Sequence, residues 1–152
     1  FKNENPGQPL PGDLLISNFD LKPLFKNQEN IKIVKDAMYS SSNEPGGTSY
    51  RSRLEDKRYT FAGKTGSSQI KKFTEEQREA EVKQEQLKYK DRDHALFVAF
   101  APVNDPKYAI SVVVEHGGTG SKAAAPIAKQ VIKKVLERHD LRQSVNYKGE
   151  EV

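Results

Sequence analysis

The feature that most constrains this chain is the run Ala95-Leu96-Phe97-Val98-Ala99-Phe100-Ala101, unbroken apolar sequence closed by Pro102. It is far shorter than the roughly 20 residues of a membrane-spanning helix, and its lack of polar interruption fits a strand covered on both faces. Asn104-Asp105-Pro106 then supplies turn chemistry. Tyr108 to Glu115 follows with Tyr108, Ile110, Val112 and Val114 on one face and Ala109, Ser111 and Val113 on the other. Together they predict an antiparallel hairpin.

The rest of the chain is arranged around that hairpin. After Gly117-Gly118-Thr119-Gly120, Ser121 stands as a candidate cap for a helix in which Ile127, Val131, Ile132, Val135 and Leu136 recur at helical spacing. Pro126 is compatible with it because it falls near the first turn. Upstream, a helix capped by Asn30 is predicted from the stripe Ile33, Val34, Ala37 and Met38, ending between Ser40 and Gly47. Arg58 to Ala62 reads as a strand leading into the small residues Gly63 to Gly66. Lys71 to Asp93 holds seven basic and seven acidic side chains and reads as a charged, mobile insertion. Within it Thr74 and Gln77 have capping-box spacing, and Glu79 and Lys83 form a favourable i,i+4 pair. Residues 1–29, with Pro6, Pro9, Pro11 and Pro23, read as an extended Pro/Asn-rich arm, residues 30–140 as the folded unit and residues 141–152 as a polar tail. The order is helix, strand, insertion, strand, strand, helix, a mixed α/β chain of the α+β type.

Composition removes several classes of function. A length of 152 residues is that of one domain or part of one. Lys and Arg total 25 against 21 Asp and Glu, and the two signs are interleaved, so no basic stripe for nucleic acid is present despite the net charge of +4. Cysteine is absent, which removes disulfides, thiolate metal sites and a cysteine nucleophile. No apolar run approaches the length of a membrane span and no signal-peptide pattern opens the sequence. Because the chain opens on Phe1 rather than Met, it is expected to be a processed product or a piece of something longer.

Most short motifs fail on inspection. Gly63-Lys64-Thr65 would need a glycine at Arg58 to complete a phosphate loop. His94, His116 and His139 share no metal-ligand spacing, so neither a metal nor a cofactor is expected, and nothing marks Ser42, Asp56 and a histidine as a catalytic triad. Gly118-Thr119-Gly120-Ser121-Lys122-Ala123 does fit G-x-G-x-x-[GA] between a strand and a helix, which keeps open a non-enzymatic binding module with a dinucleotide-binding βα unit at Gly118–Ala123. Against it, the preceding strand belongs to a hairpin, and no acid-tipped second strand follows.

There remains Lys64-Thr65-Gly66-Ser67, a K-T-G on the first of three strands, followed by the insertion, an antiparallel pair and a C-terminal helix. Together with Asn43-Glu44-Pro45-Gly46-Gly47-Thr48, Ala62 through Gln69, Asp93 through Pro102 and Val114-Glu115-His116-Gly117-Gly118, it resembles the C-terminal part of the transpeptidase domain of class B penicillin-binding proteins of the elongation type, the penicillin-binding protein 2-like group. The resemblance spans roughly Ile31 to Leu136. It implies the antiparallel sheet portion of a penicillin-binding transpeptidase or serine β-lactamase-like fold, with the C-terminal helix packed on it. It further implies acyl transfer on the D-Ala-D-Ala end of a peptidoglycan stem peptide, acylation by β-lactams, and a glycan-polymerising membrane partner. The implied location is the periplasmic domain of a protein anchored in the bacterial inner membrane.

By the same resemblance, Lys64, Thr65, Gly66, Ser67 and Ser68 line the substrate. Lys64 supplies positive charge, the Thr65 and Ser67 hydroxyls donate to the substrate carboxylate, Gly66 admits the substrate backbone, and the Ser67 backbone N–H is half of the oxyanion hole. The sequence departs from the pattern in three respects: Ser67 stands where the family often has threonine, a change that keeps the hydroxyl, and neither the S-x-x-K nor the S-x-N motif is present in its place. No S-x-x-K precedes Lys64; Ser68-Gln69-Ile70-Lys71 fits the string but follows K-T-G, and Ser41-Ser42-Asn43 spells S-x-N inside a block with no catalytic role. The chain is therefore expected to carry the substrate clamp without the nucleophile. Lacking partners for its buried strands, it is expected to expose apolar surface and to self-associate.

Overall fold

The computed structural model describes residues 27–72, 75 and 83–149; side chains are described as far as residue 143. The expected arm, the Thr74/Gln77 capping box and Glu79 of the Glu79/Lys83 pair lie outside the described residues, apart from residues 27–29 of the arm.

Helix α1 spans Gln28–Asn43. Its cap is Asn27 rather than Asn30: the Asn27 side-chain oxygen accepts from the Glu29 N–H at 2.8 Å, one turn earlier than the apolar stripe suggested. The helix stops where Glu44, which precedes Pro45, turns extended. Tyr50–Ser52 and Lys57–Tyr59 are short 3-10 turns. The second replaces the beginning of the strand expected at Arg58. The Asp56 carboxylate accepts from the Arg58 N–H and from its guanidinium, and curls the chain before the strand can begin. That pairing holds the Asp56 carboxyl below its ordinary range and the guanidinium above its own.

Strand β1 then runs Ala62–Ser68, so K-T-G lies on the first of the three strands as expected, while the strand begins at Ala62 rather than Arg58. Strands β2, His94–Ala101, and β3, Tyr108–Val114, form the expected hairpin. The three make one antiparallel sheet in the order β1-β2-β3, with Lys64 opposite Val98, Gly66 opposite Leu96, and Phe97 opposite both Thr65 and Val112. The fold is thus the mixed helix-and-strand arrangement expected, an antiparallel sheet with a C-terminal helix packed on it.

Helix α2, Ala124–Gly149, covers one sheet face. The core between them joins Ala95, Phe97, Ala99 and Ala101 of β2 to Ala124, Ala125, Ala128, Ile132 and Leu136 of α2, with Phe61 meeting Phe97 edge to face at 6.0 Å between ring centres. Two expectations change here. Ser121 does not cap α2; the chain already turns at Thr119 and Gly120, whose carbonyls accept from the N–H groups of Lys122 to Ala125. The buried stripe of α2 is built mainly of alanines, while Ile127 and Val131 stay 45% and 43% exposed, because small side chains let the helix lie close on the sheet. Strand β2 is likewise buried on one face only. Its other face carries Leu96, Val98 and Phe100, with Val98 46% exposed, and the neighbouring Val113 of β3 is 59% exposed.

Candidate active site

Among the described residues strand β1 is at the edge of the sheet, and the orientation of its backbone follows from two braces. The buried Ser42 hydroxyl donates to the Gly63 carbonyl at 3.3 Å, and the Asn43 side-chain amide donates to the Phe61 carbonyl at 2.9 Å, both from the end of α1. Carbonyls 61 and 63 therefore face away from β2. Polar groups of successive residues alternate in direction along an antiparallel strand, so Thr65 and Ser67 also present their N–H and C=O groups at the free edge, while Lys64, Gly66 and Ser68 pair with β2. The braces cover the first half of this edge. Its second half, from Thr65 to Ser68, is where the expected site residues lie.

Their side chains converge there in part. The exposed Lys64 bends so that Nζ donates to the Thr65 carbonyl at 2.9 Å. The Thr65 hydroxyl bonds to Thr48 Oγ1 at 3.0 Å, and Thr48 Oγ1 lies 3.2 Å from the Ser41 hydroxyl. A lysine cation, a short chain of hydroxyls and the Ser67 N–H thus share one sheet edge, a set able to hold an anionic group and a developing oxyanion. Ser67 and Ser68 are exposed. A Cβ on Gly66 would touch only Leu96 Cβ, at 3.4 Å, an ordinary contact, so the packing of the sheet does not itself require a glycine there.

Sequence reasoning did not find Thr48 as a neighbour of Thr65, nor Ser41 behind it. Thr48 stood in one of the family-like blocks, but nothing in its spacing to Thr65 signals a contact that depends on how the α1–β1 connection folds. Ser42 and Asn43, part of the S-x-N string, are structural here. Ser42 is fully buried and also lies 3.0 Å from the Ser49 hydroxyl, while Asn43 bridges Tyr39 and Phe61. Ser42 and Asp56 do not form a triad with a histidine: Ser42 is buried among these partners and Asp56 is paired with Arg58.

The glycine turn after β3 does not serve a dinucleotide. Gly118, at φ +81°, gives its N–H to the Asp93 carbonyl at 2.8 Å, which removes a donor a phosphate would need, and the preceding strand is antiparallel to its neighbour. Of residues 71–93, the described part from Lys83 onward folds as two 3-10 turns, Gln84–Gln86 and Tyr89–Asp91. It is tied down through Asp93, whose carboxylate accepts from the Ile70 N–H and the Gln84 amide, while Gln84 accepts from the Asp93 N–H. Glu85 pairs with Lys122 in the turn before α2, and that hydrogen bond holds the Glu85 carboxyl below its ordinary range. Among the described residues no cluster of His, Asp and Glu is suited to a metal ion, and no helix is long and apolar enough to cross a membrane.

Comparison with known proteins supplies the family context. The model of the penicillin binding protein transpeptidase domain matches residues 22–133. The chain is 35% identical over 100 residues to the peptidoglycan D,D-transpeptidase MrdA of Salmonella typhimurium, covering 66% of this chain and 15% of that protein. For MrdA of Escherichia coli K12 the identity is 32% over 106 residues, covering 69% and 16%. Among solved structures, the penicillin-binding protein PBP2 of Helicobacter pylori in complex with MreC superposes with a TM-score of 0.58 at 30% identity, over 72% of this chain and 17% of that one. PBP2 of Pseudomonas aeruginosa in complex with WCK 5153 gives 0.52 at 33% identity, over 72% and 19%. The chain spans about one sixth of the length of the curated relatives it matches.

Proposed function

The chain belongs to the penicillin-binding protein transpeptidase family, and from that premise we propose that it is the C-terminal part of a peptidoglycan D,D-transpeptidase of the elongation type. The observation that supports this reading is the edge of β1, where Lys64 Nζ donates to the Thr65 carbonyl, the Thr65 hydroxyl donates to Thr48, and strand alternation turns the Ser67 N–H to the same side.

In the reaction the catalytic serine, supplied by an S-x-x-K outside these residues, attacks the carbonyl between the two D-alanines of a stem peptide. D-Alanine leaves with the proton it gains, and the amine of a neighbouring stem attacks the resulting ester, releasing the serine and forming the cross-link. Lys64 and the Thr65 hydroxyl hold the terminal carboxylate, with the Ser67 hydroxyl beside them. The Ser67 N–H, with the N–H of the serine itself, receives the negative charge on the attacked oxygen. Gly66 leaves room for the peptide to lie along the edge, and Ser68 closes the subsite. β-Lactams enter the same cleft and acylate the same serine. The domain works in the periplasm, anchored to the inner membrane beside a glycan-polymerising partner, and the MreC bound by the H. pylori relative makes an MreC-type protein the second partner to seek.

The test is acylation. The full-length protein carrying these residues, incubated with penicillin, is expected to gain one covalent penicilloyl adduct by intact mass, whereas the isolated 152-residue chain is expected to gain none. A full-length protein that stays unmodified overturns the proposal.

A further inference from the structure

The turn between β3 and α2 is built against the backbone of β1 at the residue before Ser67. A Cβ on Gly120 would lie 2.3 Å from the Leu96 carbonyl oxygen, 2.6 Å from the Gly66 carbonyl oxygen and 3.0 Å from the Gly66 nitrogen. Gly66 and Leu96 are partners in register, and Gly66 has the orientation that faces β2, so these atoms form one hydrogen-bonded rung of the ladder. Gly120 is seated over that rung with no space for a side chain.

The turn itself is held firmly. The His116 N–H donates to His94 Nδ1 at 2.9 Å, with His116 at φ +54°, and the Gly118 N–H donates to the Asp93 carbonyl at 2.8 Å, so both fasten to the beginning of β2. On its other side, the Gly120 carbonyl accepts from the N–H groups of Ala124 and Ala125 at 3.1 and 2.8 Å, and both alanines are fully buried in the core. The position of Gly120 is thus dictated by β2 and α2, not by β1.

We propose that Gly120 is a positioning residue for acyl transfer: its contact with the Gly66–Leu96 rung fixes the height at which the next residue, Ser67, presents its N–H to the reacting oxygen. This rests on the oxyanion role assigned to Ser67 above. A displacement of about 1 Å at such a donor can cost on the order of 100-fold in rate. The contact makes this turn a backstop for the strand that contacts substrate, reached through backbone alone.

The experiment compares Gly120→Ala with Gly117→Ala in the full-length protein. Gly117 is a matched control, because a Cβ there would also be crowded, 2.8 Å from Val114 Cγ1, but against β3 rather than the rung. The readouts are the limiting acylation rate at saturating fluorescent penicillin, the half-saturating concentration and the melting temperature. Gly120→Ala is expected to lower the limiting rate about 100-fold while moving the half-saturating concentration less than about threefold. Gly117→Ala is expected to lower the melting temperature and leave the limiting rate within about threefold of wild type. A wild-type rate in Gly120→Ala, or an equal loss in both variants, overturns the proposal. If Gly120→Ala does not fold, His94→Leu decides, since it removes the acceptor of the His116 N–H without crowding the rung. A limiting rate lowered about tenfold supports the proposal and an unchanged one overturns it. A wild-type protein that penicillin does not acylate at all overturns the transpeptidase reading itself.

Discussion

Ser67 separates what its side chain does from what its backbone does. In the proposed reaction the oxyanion donor is the N–H, so Ser67→Ala is expected to keep the acylation rate of the full-length protein within about tenfold, while Ser67→Pro removes the donor and is expected to lower it by about 100- to 1,000-fold, the range for loss of one such group. Stopped-flow acylation with a chromogenic β-lactam measures both; equal losses would place the chemistry in the hydroxyl. Tyr59 offers a different kind of test. Its phenol donates to the Asp140 carboxylate, and that bond raises the phenol pKa above its ordinary 10.0. A raised pKa favours the protonated fold, so the stabilisation is complete below pH 10 and is lost as pH rises above it. The melting temperature of Tyr59→Phe is expected to lie below that of wild type at pH 8 and to converge on it above pH 10. A difference that stays constant with pH would show that the hydrogen bond contributes nothing.

At the level of elements, the contact between α1 and β1 is the one that decides which half of the edge stays open. Asn43 is its pivot, with one amide serving both the Tyr39 and Phe61 carbonyls. Asn43→Ala is expected to destabilise the protein by about 1–3 kcal/mol, since it strands a partly buried carbonyl, and urea unfolding would detect it. A change near zero would mean that water replaces the amide at no cost.

The elements differ in how far they could be read from the sequence. The position of strand β2 was readable, because an apolar run ended by Pro102 leaves little choice, although only one of its faces is buried. Strand β1 was not, since Ala-Gly-Lys-Thr-Gly-Ser-Ser has little strand preference of its own. Its extension is imposed by β2 on one side and the α1 braces on the other, a tertiary effect. The stripe of α2 was legible in part for a related reason: Ile132 and Leu136 do enter the core, but Ile127 and Val131 do not, because close packing on the sheet selects Ala124, Ala125 and Ala128. The family-like blocks pointed to Lys64 through Ser68, yet Gly120 became visible only when the fold laid it on Gly66.

For the whole molecule, the consequence of this arrangement is a sheet that, among the described residues, has α2 on one face and two edges. Ile33 and Val34 on α1 are 65% and 57% exposed, and Val98 and Val113 lie on the face away from α2. The isolated chain is therefore expected to associate with itself, as unpaired edges and contiguous apolar surface do. Sedimentation velocity across a concentration series is expected to show a rising weight-average mass. A monomer unchanged over that series would show that the exposed residues are too dispersed to act.

The alternation of β1 has one more implication, for how its sequence can change. From Phe61 to Ser67 the backbone groups of the odd-numbered residues face the edge and those of the even-numbered ones face the ladder, so which N–H the edge presents depends on parity as well as residue type. Inserting a single residue between Gly63 and Lys64 would leave Lys-Thr-Gly-Ser intact as a string while turning the following N–H from the cleft into the sheet. Two inserted residues would restore its direction but displace it along the edge. The strand is read like a two-letter frame, in which a shift by one silences the motif without altering any of its letters.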